Sequence, residues 1–187
     1  NFTGLENVTL GAGADTATIA TGGSLSSLNA GAGADTLNTN ESANSLTINA
    51  SAAGTVDGTG ISSFETINTL AGDDSVTVNN SATALSLNTG DGTDSLTSTT
   101  TADNLTVSGA NAGSLGSINF TGLENVTLGA GADTATIAAG GSLTSLNAGA
   151  GADTLNTNAS VNSLTINASA TGSVDGTGIS NFETINT

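Results

Sequence analysis

The sequence returns on itself at a fixed spacing, which limits it to architectures in which like segments stack. Asn-Phe-Thr-Gly-Leu-Glu-Asn-Val-Thr-Leu starts at Asn1 and again at Asn119, an offset of 118, or twice 59. Residues 1–69 and 119–187 differ at only seven positions, among them Thr21/Ala139 and Glu41/Ala159. A middle copy is diverged but in phase: the stretch from Leu5 lines up with the stretch from Phe64. The units are therefore 5–63, 64–122 and 123–181, with a partial one at 182–187.

A finer period lies inside each unit. Rungs of 20, 20 and 19 residues put Val8, Leu28, Ile48, Ile67, Leu87, Val107, Val126, Leu146, Ile166 and Ile185 at one position. All are aliphatic, and the next residue is always Thr, Asn or Ser. A second apolar cluster comes after the turn, with the alternation of Val76-Thr77-Val78. That is the period of a strand with one face buried. No stretch sustains a helical period, and Gly, Asn, Ser and Thr punctuate the chain throughout.

These features predict an all-β chain, a parallel β-helix or β-solenoid. Each coil takes about 19–20 residues, three coils make one 59-residue repeat, and a right-handed coil is expected. Coils about 4.8 Å apart would give an axial repeat of about 14 Å per unit and a rod of about 45–50 Å. Aliphatic residues would stack into a thin core, and the Asn/Thr/Ser column into a ladder of side-chain hydrogen bonds. The whole of 1–187 reads as one continuous segment. With no Met, a start late in one rung and an end early in another, it is expected to be cut from a longer chain.

Charge narrows the partners. Eleven Asp and five Glu face no Lys, Arg or His, a net charge of −16. Nothing here can neutralise phosphates, so nucleic acid is excluded, as is attraction to anionic lipid. No apolar run is long enough to insert into a membrane. The surface suits cations. Without His, Cys, Lys, Arg or Tyr there is no base, nucleophile or oxyanion donor of the usual kinds, so no enzyme is expected. The carboxylates repeat with the coil, which describes a lattice and not a catalytic pair.

The sharpest motif is Gly-Ala-Gly-Ala-Asp-Thr, at 11–16, 31–36, 129–134 and 149–154, with looser forms at 71–75 and 90–95. Every third rung lacks it; there Thr55, Ser114 and Ser173 stand in. The motif places Asp15/Asp35, Asp74/Asp94 and Asp133/Asp153 in pairs on adjacent coils, with Asp73 and Asp91 nearby. Carboxylates about 5 Å apart repel by about 1 kcal/mol in water and about 3 kcal/mol at an effective dielectric of 20. A hard cation with oxygen ligands would remove that cost. Alternatively, these residues end turns, accept backbone N–H bonds and point into solvent.

Glu6, Glu65, Glu124 and Glu183 recur once per unit, too far apart to share a metal, and read as a solvated face. Asn-x-Ser/Thr at Asn7, Asn49, Asn104, Asn125 and Asn167 is common by chance in such a composition. Thr-x-Thr at Thr16/Thr18 and Thr134/Thr136 is a fragment of the flat arrays that some ice-binding proteins carry.

The pattern G-x-G-x-D-x-(apolar) resembles the calcium-binding repeat of RTX proteins. That resemblance implies Ca²⁺ held between coils by turn carbonyls and by Asp15, Asp35, Asp74, Asp94, Asp133 and Asp153. More broadly, Phe-Thr-Gly-Leu-Glu-Asn-Val-Thr-Leu-Gly from Phe2 and Ile-Ser-Ser-Phe-Glu-Thr-Ile from Ile61 resemble the repeat regions of giant bacterial extracellular proteins. These are the filamentous-haemagglutinin-like stalks and RTX-type adhesins. The resemblance implies an extracellular or cell-surface fibre, stalk or matrix segment. Its partner would be itself, stacked head to tail or within a longer repeat chain. The other open reading is an adhesive module that grips carbohydrate, ice or mineral through Asn, Thr and Asp faces.

Overall fold

The computed structural model describes residues 5–50, 53–80, 84–158, 162–167 and 169–187. Residues 2–4 of the opening phrase lie outside them. Among the described residues there is no helix. Twenty-four short strands form a sheet of twelve, a sheet of ten and a two-stranded piece, so the chain is an all-β solenoid.

One coil visits both large sheets. Asn7–Thr9 lies in the twelve-stranded sheet, Thr16–Thr18 in the ten-stranded sheet, and Ser27–Asn29 back in the first. Strands on successive coils pair in parallel at an offset of 20, as in Val8↔Leu28, Ala17↔Leu37, Ile67↔Leu87 and Val126↔Leu146. The apolar alternation turns one side of each strand inward. Leu37, Val76, Leu96, Leu105 and Leu146 are buried in one continuous core, with Phe64 and Phe120 the largest side chains inside it.

The third rung of each unit departs from the expected coil. Ser45–Ile48, Ala53–Val56 and Thr59–Ser62 form an antiparallel meander within the twelve-stranded sheet. Its last strand, and not its first, pairs with Ser27–Asn29, while its first pairs onward with Ser75–Val78. The cause is local. Asp57 and Gly58 both have positive φ, 48° and 83°, and Asp175 and Gly176 repeat this at 48° and 86°. Two central residues with positive φ are what a two-residue hairpin requires, and Asp-Gly is its strongest sequence signal. A chain reversed there cannot close a coil.

The meander changes the meaning of the 59-residue spacing. Each unit now supplies an odd number of passes between the sheets, so the next unit begins in the other one. Val8, Leu28 and Ile48 lie in the twelve-stranded sheet, Ile67, Leu87 and Val107 in the ten-stranded sheet, and Val126, Leu146 and Ile166 in the first again. The second meander, Asn104–Gly109, Ala112–Leu115 and Ile118–Thr121, accordingly sits in the ten-stranded sheet. The structural period is 118 residues, the spacing at which the sequence is nearly identical. Asn7–Thr9 and Leu123–Thr127 are seven places apart in their sheet. That is roughly 34 Å per 118 residues, or about 17 Å per unit where about 14 Å was expected.

The polar ladder forms with altered partners. The Asn68 amide donates to Asn38 Oδ1 at 2.8 Å, and Asn79 and Thr99 extend a run from Asn49 at 2.8 Å each. Asn29 and Asn147 cap their own turns, each accepting an N–H, from Gly31 and Gly149, at 3.0 Å, and Asn147 Oδ1 also accepts the Asn181 amide at 2.8 Å.

Candidate functional site: carboxylate columns at the turns

Gly-x-Gly-x-Asp turns stack directly on one another. The N–H of Gly13 donates to the Ala32 carbonyl at 2.7 Å, and that of Ala32 to the Gly11 carbonyl at 3.2 Å. Such contact requires glycine: a Cβ on Gly33 would stand 1.7 Å from the Gly13 oxygen, and its φ of +156° disfavours a side chain as well.

Stacking brings the acidic residues into columns. The Asp15 backbone N–H donates to Asp35 Oδ1 at 2.7 Å, and the Asp35 N–H to Glu65 Oε2 at 2.8 Å. A second column runs Asn44, Asp74, Asp94, Glu124, with bonds of 2.7, 2.7 and 2.8 Å. A third runs Asp103, Asp133, Asp153, Glu183, with bonds of 2.7, 2.8 and 2.7 Å. Each carboxylate after the first residue of its column thus takes up the backbone N–H of the residue before it in the column. A charged acceptor makes this a strong bond.

The six aspartates named from sequence all stand in these columns, in the expected neighbouring pairs. Asp73 and Asp91 lie outside them, on the exposed rim. Asp73 Oδ1 accepts the Thr93 N–H there at 2.8 Å. Glu65, Glu124 and Glu183, read as a solvated face, also end the columns: Glu65 and Glu183 are exposed, as read, Glu124 is half-buried, and each accepts one backbone N–H. Their place two residues into a unit looks unrelated to the aspartates until the half-coil shift between units is known. Asp103 and Asn44 lack the Gly-x-Gly signature and were not anticipated either.

The second oxygen is the unusual part. In Asp15, Asp35, Asp74, Asp94, Asp133 and Asp153, Oδ2 is buried and has no hydrogen-bond partner. Five of these residues are at most 2% exposed, Asp15 somewhat more. Burial pushes the carboxyls of Asp94 and Asp133 above the usual carboxylate range, against the lowering effect of the Asp74 and Asp103 backbone N–H groups and, at Asp94, of the Thr89 hydroxyl. Charges on Asp74 and Glu124, and on Asp103 and Asp153, push them further up. Two other members escape the problem. Both oxygens of Asp103 accept bonds, Oδ1 from Ser98 and Thr100 and Oδ2 from the Gly129 N–H. The Asn44 amide donates to the Asn40, Ser42 and Thr69 carbonyls.

One feature of the columns bears on the calcium cradle that the resemblance implies. Six orphaned carboxylate oxygens, in a chain with no basic side chain, call for positive charge. The turn carbonyls are engaged otherwise, since Gly11 and Gly129 accept N–H bonds from Ala32 and Ala150. Among the described residues no three acidic side chains gather round one point, whereas calcium takes about six to eight oxygens. What the columns offer chemically is a line of single acceptors for protons or cations. Comparison with protein-family models, curated proteins and solved structures finds no match.

Proposed function

We propose that this chain is a structural repeat segment of a secreted bacterial surface fibre or giant surface protein, serving as a filament, stalk or matrix spacer. The register carries this reading: one strand order runs through all three units of the twelve-stranded sheet. Each layer adds backbone hydrogen bonds and an apolar slab to its neighbours, so stability sums along the axis. A charge of −16 without a single cation keeps neighbouring rods apart laterally. Its partner is more of the same repeat. Electron microscopy or fibre diffraction of native material tests this. The expected result is slender rods with an axial period of roughly 34 Å; compact particles without that period would remove the reading.

A second feature goes with the first. The orphaned Oδ2 atoms favour protons or cations taken up one oxygen at a time, and calcium, which the repeat resemblance implies, is the cation to test. Added Ca²⁺ should raise the melting temperature and chelator should lower it. Melts unchanged by either would sink the idea.

A further inference from the structure

The middle unit carries a groove on the outer face of the ten-stranded sheet, where Thr66–Asn68, Leu85–Asn88 and Ile118–Thr121 run side by side. Its volume is about 140 Å³, and Thr66, Ser86, Asn88, Asn119 and Thr121 are among the residues that line it. Thr66, Ser86 and Asn119 stand in register, as do Asn88 and Thr121. The alternation of the strands turns these side chains outward and buries Ile67, Leu87 and Phe120 between them.

The same three-strand face occurs in the units before and after, 59 residues away, and there it satisfies itself. Asn7, Ser27 and Gly60 hold the three positions in the first unit, and Asn125, Ser145 and Gly178 in the third. Ser27 Oγ donates to Asn7 Oδ1 at 2.7 Å, and Ser145 Oγ to Asn125 Oδ1 at 2.7 Å. The glycines bring no side chain. In the middle unit each of these terms is changed. Thr66 has no amide to accept the Ser86 hydroxyl, and Asn119 adds a whole carboxamide where glycine stands elsewhere. Asn88 Oδ1 accepts the Thr121 hydroxyl at 3.1 Å. Among the described residues, the side chains of Thr66, Ser86 and Asn119 have no hydrogen-bond partner in the protein.

We infer that this groove binds one neutral sugar ring of a polysaccharide. The Thr66 and Ser86 hydroxyls each donate and accept, and the Asn119 amide brings two N–H donors and an acceptor oxygen. Adjacent sugar hydroxyls present the complementary set, since each of them also donates and accepts. An amide can bond two neighbouring hydroxyls at once. Charge selects among sugars. No cation faces the groove and the chain carries −16, so uronates and sulfated sugars are repelled. Phe120 is 2% exposed and offers no ring face for stacking. Affinity therefore rests on a few hydrogen bonds exchanged with water, which puts the dissociation constant at about 1 mM or weaker. The inference goes beyond the structural role and does not depend on it.

Chemical-shift titration of the isotope-labelled full chain tests the site. The probes are methyl glucoside, methyl galactoside, N-acetylglucosamine and, as the anion, glucuronate. At least one neutral sugar should shift the amides of Thr66, Ser86 and Asn119 saturably and leave those of Asn7, Ser27, Asn125 and Ser145 in place. Glucuronate should shift none of them. The double variant Thr66→Asn, Asn119→Gly gives the middle face the residues of its two neighbours. It should melt like the parent and bind at least tenfold more weakly. Ser86→Ala, at an exposed position, should weaken binding without the double variant's change in the strands. The inference is overturned if no neutral sugar shifts the three amides, or if the first and third units respond equally. Undiminished affinity in both variants, or glucuronate bound as tightly as the neutral sugars, overturns it too.

Discussion

Two copies of Ser-Leu-Thr-Ile, at 45–48 and 163–166, open the first and third meanders in closely similar sequence and differ most in their neighbours in space. In the interior copy Leu46 is 1% and Ile48 3% exposed; in the terminal copy Leu164 is 36% and Ile166 71% exposed. Both first strands pair antiparallel with the strand behind them, Leu46↔Val56 and Leu164↔Val174. Only the interior one has Ser75–Val78 ahead of it. Burial here belongs to the pair of layers, not to the strand. The largest test of that claim is one substitution made twice. Ile48→Ala should cost about 2–5 kcal/mol, and Ile166→Ala within about 0.5 kcal/mol. Denaturant titration of both variants decides; equal losses would break the comparison.

Glycines in the turns sharpen it. Gly13 and Gly33 hold the same place in successive turns, with φ of +136° and +156°. A Cβ on Gly13 meets nothing within 4 Å, whereas one on Gly33 meets the Gly13 carbonyl. Gly13→Ala should therefore cost only its backbone strain. Gly33→Ala should cost about 1–3 kcal/mol more, since backbone in a paired layer cannot step aside. If thermal melts of the two variants coincide, the layers are looser than the turn contacts imply.

Much of this order was legible in the sequence, and what was not has one main cause. The period-2 alternation and the 20-residue offset pointed to the parallel pairs, and the Gly-x-Gly-x-Asp spacing to six column residues. The miss was the Asp57-Gly58 reversal. An Asp-Gly between apolar residues is a hairpin signal, but within a run of rungs it reads as one more turn. From that miss come the others: three coils per unit in place of two and a meander, the 14 Å repeat, and the unseen place of the glutamates at the column ends. Asp103 was hidden differently. Its partners Ser98, Thr100 and Gly129 come together only through packing, and nothing in Thr-Ala-Asp announces them.

Within one column, Asn44 and Asp74 offer a smaller test. Asp74 Oδ1 accepts the Asn44 N–H, and its Oδ2 is the buried orphan. Asp74→Ala leaves that donor unpaired and should cost about 1–3 kcal/mol. Asp74→Asn keeps the acceptor and removes a buried charge, so its cost should stay below about 1 kcal/mol, or turn into a gain. A loss as large as that of the alanine variant would mean that the carboxylate charge itself stabilises the column, as a bound cation would require.

Acidity probes the interior layers most gently. Burial raises the folded-state carboxyls of Asp94 and Asp133 above their unfolded value. Folding therefore favours their protonated forms. This contribution to stability is fully present below the unfolded value, near 3.9 for Asp, and is lost as pH rises through the folded value. The melting temperature should accordingly increase on going from about pH 7 toward about pH 4.5, the reverse of ordinary acid denaturation. Relief of the general repulsion among sixteen carboxylates acts in the same direction. The double variant Asp94→Asn, Asp133→Asn separates the two, because it retains the general repulsion and lacks the two buried carboxyls. Its melting temperature should rise less over the same interval. If wild type and variant rise equally, net charge accounts for the acid response; if both fall, the interior carboxylates are stabilised as anions and the comparison of layers must be redrawn around whatever cation holds them.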